Sequence, residues 1–293
     1  MKTAQTELRR TIGLPLLLFY GMGNIIGAGI YVLIGKVSGE AAMYAPVAFL
    51  VASLVAGFSA FSYSEMSARY PFSAGEAVYI DEGFHLKNLS RLTGLLIAVA
   101  GMVSAATIFR GFYGYFNSII QAPEIVVITA VILTLGLLTV WGISQSVAAA
   151  AALTVIEISG LLLIIWAGKD ILGTAPDQVE QLIPPFHISA WSGIFLGGFL
   201  AFFAFIGFED MVNIAEEVKH PQRTLPAAIL LALFFSTVIY TLVSVIAVLA
   251  MDSVAFSESK APLADLLSAT SEIDSRIISI ISMLAIVNGA LIQ

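Results

Sequence analysis

With 293 residues, 59% of them hydrophobic and 11% charged, the chain has too little polar surface for a soluble domain, where roughly 25% are charged. Its net charge of -7 does not set orientation, which depends on where Lys and Arg lie. The absence of cysteine excludes disulfides and thiolate metal sites, and His85, His187 and His220 fall between apolar runs in no ligand spacing. No metal, cofactor or nucleic-acid partner is expected.

The apolar runs are each about 20 residues, the length that spans a bilayer as helix, so the chain reads as an all-α polytopic membrane protein. A short polar tail with Lys2, Arg9 and Arg10 comes first. It lacks a small-residue cleavage site, so the first span is expected to be retained. Span one covers Leu14–Lys36 and is interrupted at Gly27, Ala28 and Gly29. Spans two to five follow at Ala45–Ala68, Leu92–Ile120, Ile125–Trp141 and Val147–Gly168. Arg110 lies in the outer third of span three, where it is expected to snorkel or pair locally. Span six, Trp191–Ala215, is interrupted at Ile206, Gly207, Phe208 and Glu209. Spans seven and eight are Leu225–Met251 and Ile277 to the end.

Placing the tail in the cytoplasm puts Lys2, Arg9, Arg10, Arg69, Lys87, Arg91, Lys219 and Arg223 inside, against Lys36, Lys169, Lys260 and Arg276 outside. This fits the positive-inside rule and predicts a multi-pass protein of the plasma (cell inner) membrane with a cytoplasmic N-terminus. Spans one and six then run in opposite directions with breaks at comparable depth, as inverted repeats would. Residues 1–170 are expected to form a first five-helix repeat and 171–293 an incomplete second, within one transmembrane domain. Because Gln293 falls inside an apolar helical stretch, the chain reads as a fragment truncated in helix 8, with at least two further spans expected.

An unwound backbone inside a bilayer is tolerated only where it lines a cavity or is buried in protein. Gly27, Ala28 and Gly29 let a ligand approach the backbone closely, and the N–H groups that open the outer half-helix suit a carboxylate. Close packing through Gly23 and Gly27 is the alternative; the matching break in span six favours a binding site. There Phe202 to Glu209 joins an aromatic run to a glycine and a carboxylate. Free carbonyls at the end of the first half-helix suit an ammonium group, and Phe203 or Phe205 can close over it as a lid. Facing each other, the two breaks make a site for a zwitterion.

Glu157, at the centre of span five, is costly there in its charged form and is a candidate proton carrier; Glu209, beside the second break, is another. A structural carboxyl hydrogen-bonded to Ser or Asn is the alternative for each. The middle of span eight, Met283 to Ala290, has no Ser or Thr, which argues against sodium coupling and for protons or exchange.

On these residues the chain resembles the amino acid–polyamine–organocation superfamily of secondary transporters. Gly23 to Tyr31 is similar to the family's first-helix motif, and Arg69 to Tyr79 to the loop after its second helix. Phe203 to Glu209, with the Ala215-Glu216-Glu217 run through Pro221, Arg223 and Pro226, resembles its sixth helix and following loop. Asn288 to Gln293 resembles part of its eighth helix. The resemblance implies a leucine-transporter-like fold of inverted five-helix repeats, alternating access, and an amino acid or related amine as substrate. It also implies that the backbone of Ile26, Gly27, Ala28 and Gly29 holds the carboxylate. Carbonyls near Phe203, Ala204 and Ile206, in the Phe203–Gly207 stretch with Phe205, would hold the amine. Many relatives carry a lysine where this chain has Glu157, so their coupling chemistry does not transfer.

The expected function is a secondary carrier for an amino acid, possibly cationic and proton-coupled or exchanging. A polyamine exchanger of the same fold is the alternative. A channel would need a continuous polar stripe and a membrane enzyme a catalytic cluster; the sequence offers neither.

Overall fold

The computed structural model describes residues 10–27, 29–73, 75–140 and 147–292. Ala28, Ala74, Trp141, Gln293 and the tail with Lys2 and Arg9 lie outside the described residues.

Span one is two helices, α1 (Leu14–Ile26) and α2 (Gly29–Ala41). A proline in the first turn starts α1, where a missing N–H costs nothing. A one-turn 3-10 segment, Ala42–Tyr44, leads into α3 (Ala45–Arg69). The short α4 (Gly75–Phe84) precedes α5 (Lys87–Ile119), α6 (Glu124–Val140) and α7 (Val147–Ala167). The next connection carries α8 (Lys169–Thr174) and α9 (Val179–Leu182). Span six begins as α10 (Ile188–Phe203) and resumes as a 3-10 segment, Glu209–Glu217. Then come α11 (Pro221–Ala250), α12 (Ser253–Glu258), α13 (Pro262–Thr270) and α14 (Arg276–Ile292).

The helices extend past the apolar runs that mark the spans. Span one continues to Ala41 instead of ending at Lys36, and span three starts at Lys87 instead of Leu92. Hydropathy marks only the lipid-matched part of a helix, and polar turns such as Lys87 to Arg91 prolong it. Four stretches are long and apolar enough to cross a membrane: 29–69, α5, Ala150–Ala167 and α11. The other apolar helices, α1, α6, α10 and α14, are shorter, and α1 and α10 are halves of broken spans.

Small residues set the central packing. On α3, Ala48, Ala52, Ala56 and Ala60 recur every fourth residue; on α11, Ala228, Ala232, Ser236, Tyr240 and Ser244 do the same. The two helices pack against each other. In lipid there is little hydrophobic drive between helices, so close backbone approach through small side chains supplies the contact. Large apolar side chains instead point outward, Phe58 at 70% exposure and Leu54 at 63%. That exterior is stable only against hydrocarbon.

Two buried phenols pin the other end of the bundle. Tyr115 donates to the Tyr31 carbonyl and accepts from Leu263 N–H, while Tyr31 donates to the Glu157 carbonyl at 2.6 Å. α12 is N-capped by Asp252, whose carboxylate accepts from the Val254 and Ala255 N–H groups. Before α1, Ile12 pairs as a parallel β-bridge with Val218. Thr11 and Ile12 donate to the Glu217 carbonyl and Lys219 donates to that of Ile12, at 2.9, 3.0 and 2.8 Å. This stitch joins the segment before the first break to the segment after the second.

Candidate functional site

The two breaks pack directly against each other. α1 ends at Ile26, Gly27 N–H closes on the Gly23 carbonyl at 2.8 Å, and the helix restarts at Gly29. α10 ends at Phe203, after which Ala204 and Phe205 make tight bonds to Ala201 and Phe202. Gly207 then adopts φ +133, a region open to glycine alone. The Gly207 N–H donates to Glu209 Oε2 at 2.8 Å, so this carboxylate folds back to cap the break. A methyl group on Gly29 would lie 2.6 Å from Ala204 Cα, and one on Gly207 would lie 2.8 Å from the Asn24 carbonyl carbon. Both glycines are therefore required by backbone meeting backbone.

Two side chains bolt the breaks together. Asn24 Nδ2 donates to the Gly207 carbonyl at 2.7 Å and to Asp210 Oδ2 at 2.8 Å. The buried Tyr240 hydroxyl shares its hydrogen between the carbonyls of Ile25 at 2.9 Å and Ala204 at 3.0 Å. Both carbonyls sit at helix ends, where no intrahelical donor reaches them. Tyr240→Phe leaves the two without that donor, and a loss of about 1–3 kcal/mol of stability is expected. Thermal unfolding in detergent reads it; an unchanged transition would mean that other donors fill the gap.

Beside this junction lies a cavity of about 500 Å³. Its walls are α3 through Tyr63, α4 through Glu76, the middle of α5, and the second break through Phe203, Ile206, Glu209 and Asp210. Three carboxylates line it, with no Lys, Arg or His among the described residues. Tyr63 donates to Glu76 Oε1 at 2.8 Å and meets Phe208 edge-on, centroids 5.7 Å apart. On α4, burial first and the Glu76 charge second push the Tyr79 phenol up to about 12.

Of the residues singled out in the sequence, Phe203, Ile206 and Glu209 line the cavity. Ile26, Gly27, Gly29, Ala204 and Gly207 are buried, and the breaks touch where Gly29 meets Ala204 and Gly207 meets Asn24. Phe205 is fully buried against Tyr240, ring centroids 5.0 Å apart, and faces the core instead of the cavity. Gly23 packs against Thr154 of α7, and Gly27 lies close to Gly289 of α14. Glu157 sits away from the cavity, fully buried, with Oε1 accepting from Asn288 Nδ2 at 2.9 Å. Arg110 is exposed and lines a second cavity of about 740 Å³ with Lys36 and Lys260. No group of three or more His, Asp or Glu suited to a metal occurs among the described residues.

Asp210 and Tyr240 were not singled out in the sequence, and Asn24, Glu76 and Asn288 entered only within the stretches that carry the family resemblance. Tyr240 had a usable signal of its own, as a lone tyrosine hydroxyl in the middle of an apolar span.

A family model described as "Amino acid permease" matches residues 12–292. The chain belongs to the amino acid permease family. It is 32% identical over 266 residues to "Cationic amino acid transporter 2, vacuolar" of Arabidopsis thaliana, covering 83% of this chain and 41% of that protein. Against a branched-chain amino acid permease of Bacillus subtilis it is 28% identical over 269 residues, 83% of this chain and 56% of the relative. A methylthioribose transporter of the same bacterium is 28% identical over 262 residues, with 82% and 55% covered. This permease chain thus spans about half the length of the curated relatives it matches.

Proposed function

We propose that this chain holds the substrate site of an amino acid carrier that works by alternating access, with preference for a cationic amino acid. The observation that carries the reading is the contact of two helix breaks beside a cavity whose charged lining is carboxylate alone. The substrate carboxylate is read by the backbone around Ile26, Gly27, Ala28 and Gly29. Its amine is read by carbonyls near Phe203, Ala204 and Ile206, and a cationic side chain by Glu209, Asp210 and Glu76. Phe203, at the cavity wall, is the aromatic lid. Transport is coupled to protons or runs as exchange, with Glu157 and Glu209 as the coupling carboxylates. The arrangement is a leucine-transporter-like pair of inverted five-helix repeats, residues 1–170 and the partial repeat 171–293. It sits in the plasma membrane with the N-terminus in the cytoplasm. The cationic transporter among the relatives supports the substrate class, and the opposed breaks support the repeats.

Binding of labelled lysine, leucine and putrescine to the chain in lipid nanodiscs tests it. Lysine is expected to bind saturably and stereoselectively. Replacing one carboxylate, Asp210→Asn, is expected to weaken lysine by about tenfold to a hundredfold while changing leucine little, the worth of one charge-assisted hydrogen bond. Equal losses for lysine and leucine would overturn the cationic preference. Tighter putrescine than lysine would move the reading to amines. Folded protein that binds none of the three would remove it.

A further inference from the structure

Among the described residues, two buried acceptor atoms have no hydrogen-bond partner and belong to side chains already bonded to each other. Asn288 Nδ2 donates to Glu157 Oε1 at 2.9 Å; Glu157 Oε2 and Asn288 Oδ1 are both buried and unpartnered. Both residues are completely buried. The pair bridges α7 and α14, and one turn earlier on α7 Thr154 packs on Gly23 of α1. A side-chain amide can donate only through its nitrogen, so no rotation of Asn288 supplies both missing partners.

Among the described residues no cation offsets a charge on Glu157. It takes part in no ion pair among the described residues. The titratable groups that sense its charge are the phenols of Tyr31 on α2 and Tyr240 on α11. Tyr20 is the titratable group of α1. Lys169 and Asp170 on α8, Asp265 on α13 and Arg276 on α14 are all exposed. A carboxylate left in this surrounding would be an unpaired buried charge with one hydrogen bond, the costliest arrangement available to it.

We propose that Glu157 and Asn288 form a neutral acid–amide pair, in which a proton on Oε2 is donated to Oδ1 while Nδ2 donates to Oε1. One proton then satisfies both orphaned atoms and closes a ring of two hydrogen bonds between span five and span eight, behind the first break. Asn288 is the positioning residue and Glu157 the proton holder. Breaking the Oε2–H bond passes the proton to water and leaves an anion, so the proton leaves only when α7 and α14 part enough to admit water. The inference deepens the proton-coupling part of the proposed function and rests on it for its meaning in transport. The pair itself does not depend on the substrate.

Difference infrared spectroscopy of the chain in nanodiscs, across a pH series, reads the pair directly. A protonated-carboxyl C=O band is expected at neutral pH, absent in Glu157→Gln and moved to higher frequency in Asn288→Leu as its hydrogen bonding changes. Glu157→Gln keeps two hydrogen bonds as an amide–amide pair, so that variant is expected to fold. The swap Glu157→Gln with Asn288→Asp puts the acid on α14 and is expected to restore the band, which a merely structural role would not require. No Glu157 band at neutral pH would overturn the proposal. So would a band removed by sodium ions, which would make the site one for a metal cation, or a swap that folds without the band. Because no substrate is added, a chain that binds no amino acid leaves this test intact.

Discussion

Gly207→Ala is expected to be the most damaging single change near the breaks, costing roughly 3–5 kcal/mol of stability. Two causes add. An alanine pays backbone strain at φ +133, and its methyl would sit 2.8 Å from the Asn24 carbonyl carbon and its oxygen. The obstacle is main chain from α1, so no side-chain rotation relieves it, and the second break must move away from the first. A lower unfolding temperature is expected, together with weakened lysine binding as the cavity wall at Ile206 and Glu209 shifts. An unchanged melting temperature would show that the breaks can separate at little cost.

Asn24→Leu is expected to cost roughly 2–4 kcal/mol, although leucine has the same branching and the same number of side-chain heavy atoms. It removes one amide that serves two acceptors, the Gly207 carbonyl and the Asp210 carboxylate. Two polar groups lose a donor at once, and one of them is a carboxylate. The measurable consequence goes beyond stability: Asp210, freed from Asn24, is expected to change the apparent affinity for lysine more than for leucine. Equal changes for both amino acids would limit Asn24 to holding the breaks together.

The interruption points could be read from local chemistry. Glycines at 27 and 29 and a glycine followed by a carboxylate at 207–209 stand out in otherwise apolar spans, and α1, α2 and α10 end or begin near them. The long apolar cores of α3, α5 and α11 were equally legible, because lipid solvates them and their composition answers to it. The polar helix ends were not, nor were α8, α9, α12 and α13, which are short and carry too few apolar residues for periodicity to mark them. What holds the breaks was also hidden. The Asn24–Asp210 bond joins residues 186 apart and the Glu157–Asn288 bond residues 131 apart, and no local pattern announces such partners. The packing of Phe205 under Tyr240 shows the same limit: an aromatic run in sequence does not say which ring turns to a cavity and which to a neighbouring helix.

The backbone stitch between Ile12 and Val218 has a mechanical consequence. The first half of span one and the segment after the second break are fastened near one end by that bridge and near the other by Asn24. Fastened at two points, they form a single lever instead of two independent arms. Each of the three bonds in the stitch is worth about 0.5–1.5 kcal/mol net. Unzipping it is therefore within thermal reach, yet swinging the joined pair costs none of those bonds. Opening on that side is thus expected to be a one-piece motion, with its pivot near the two breaks.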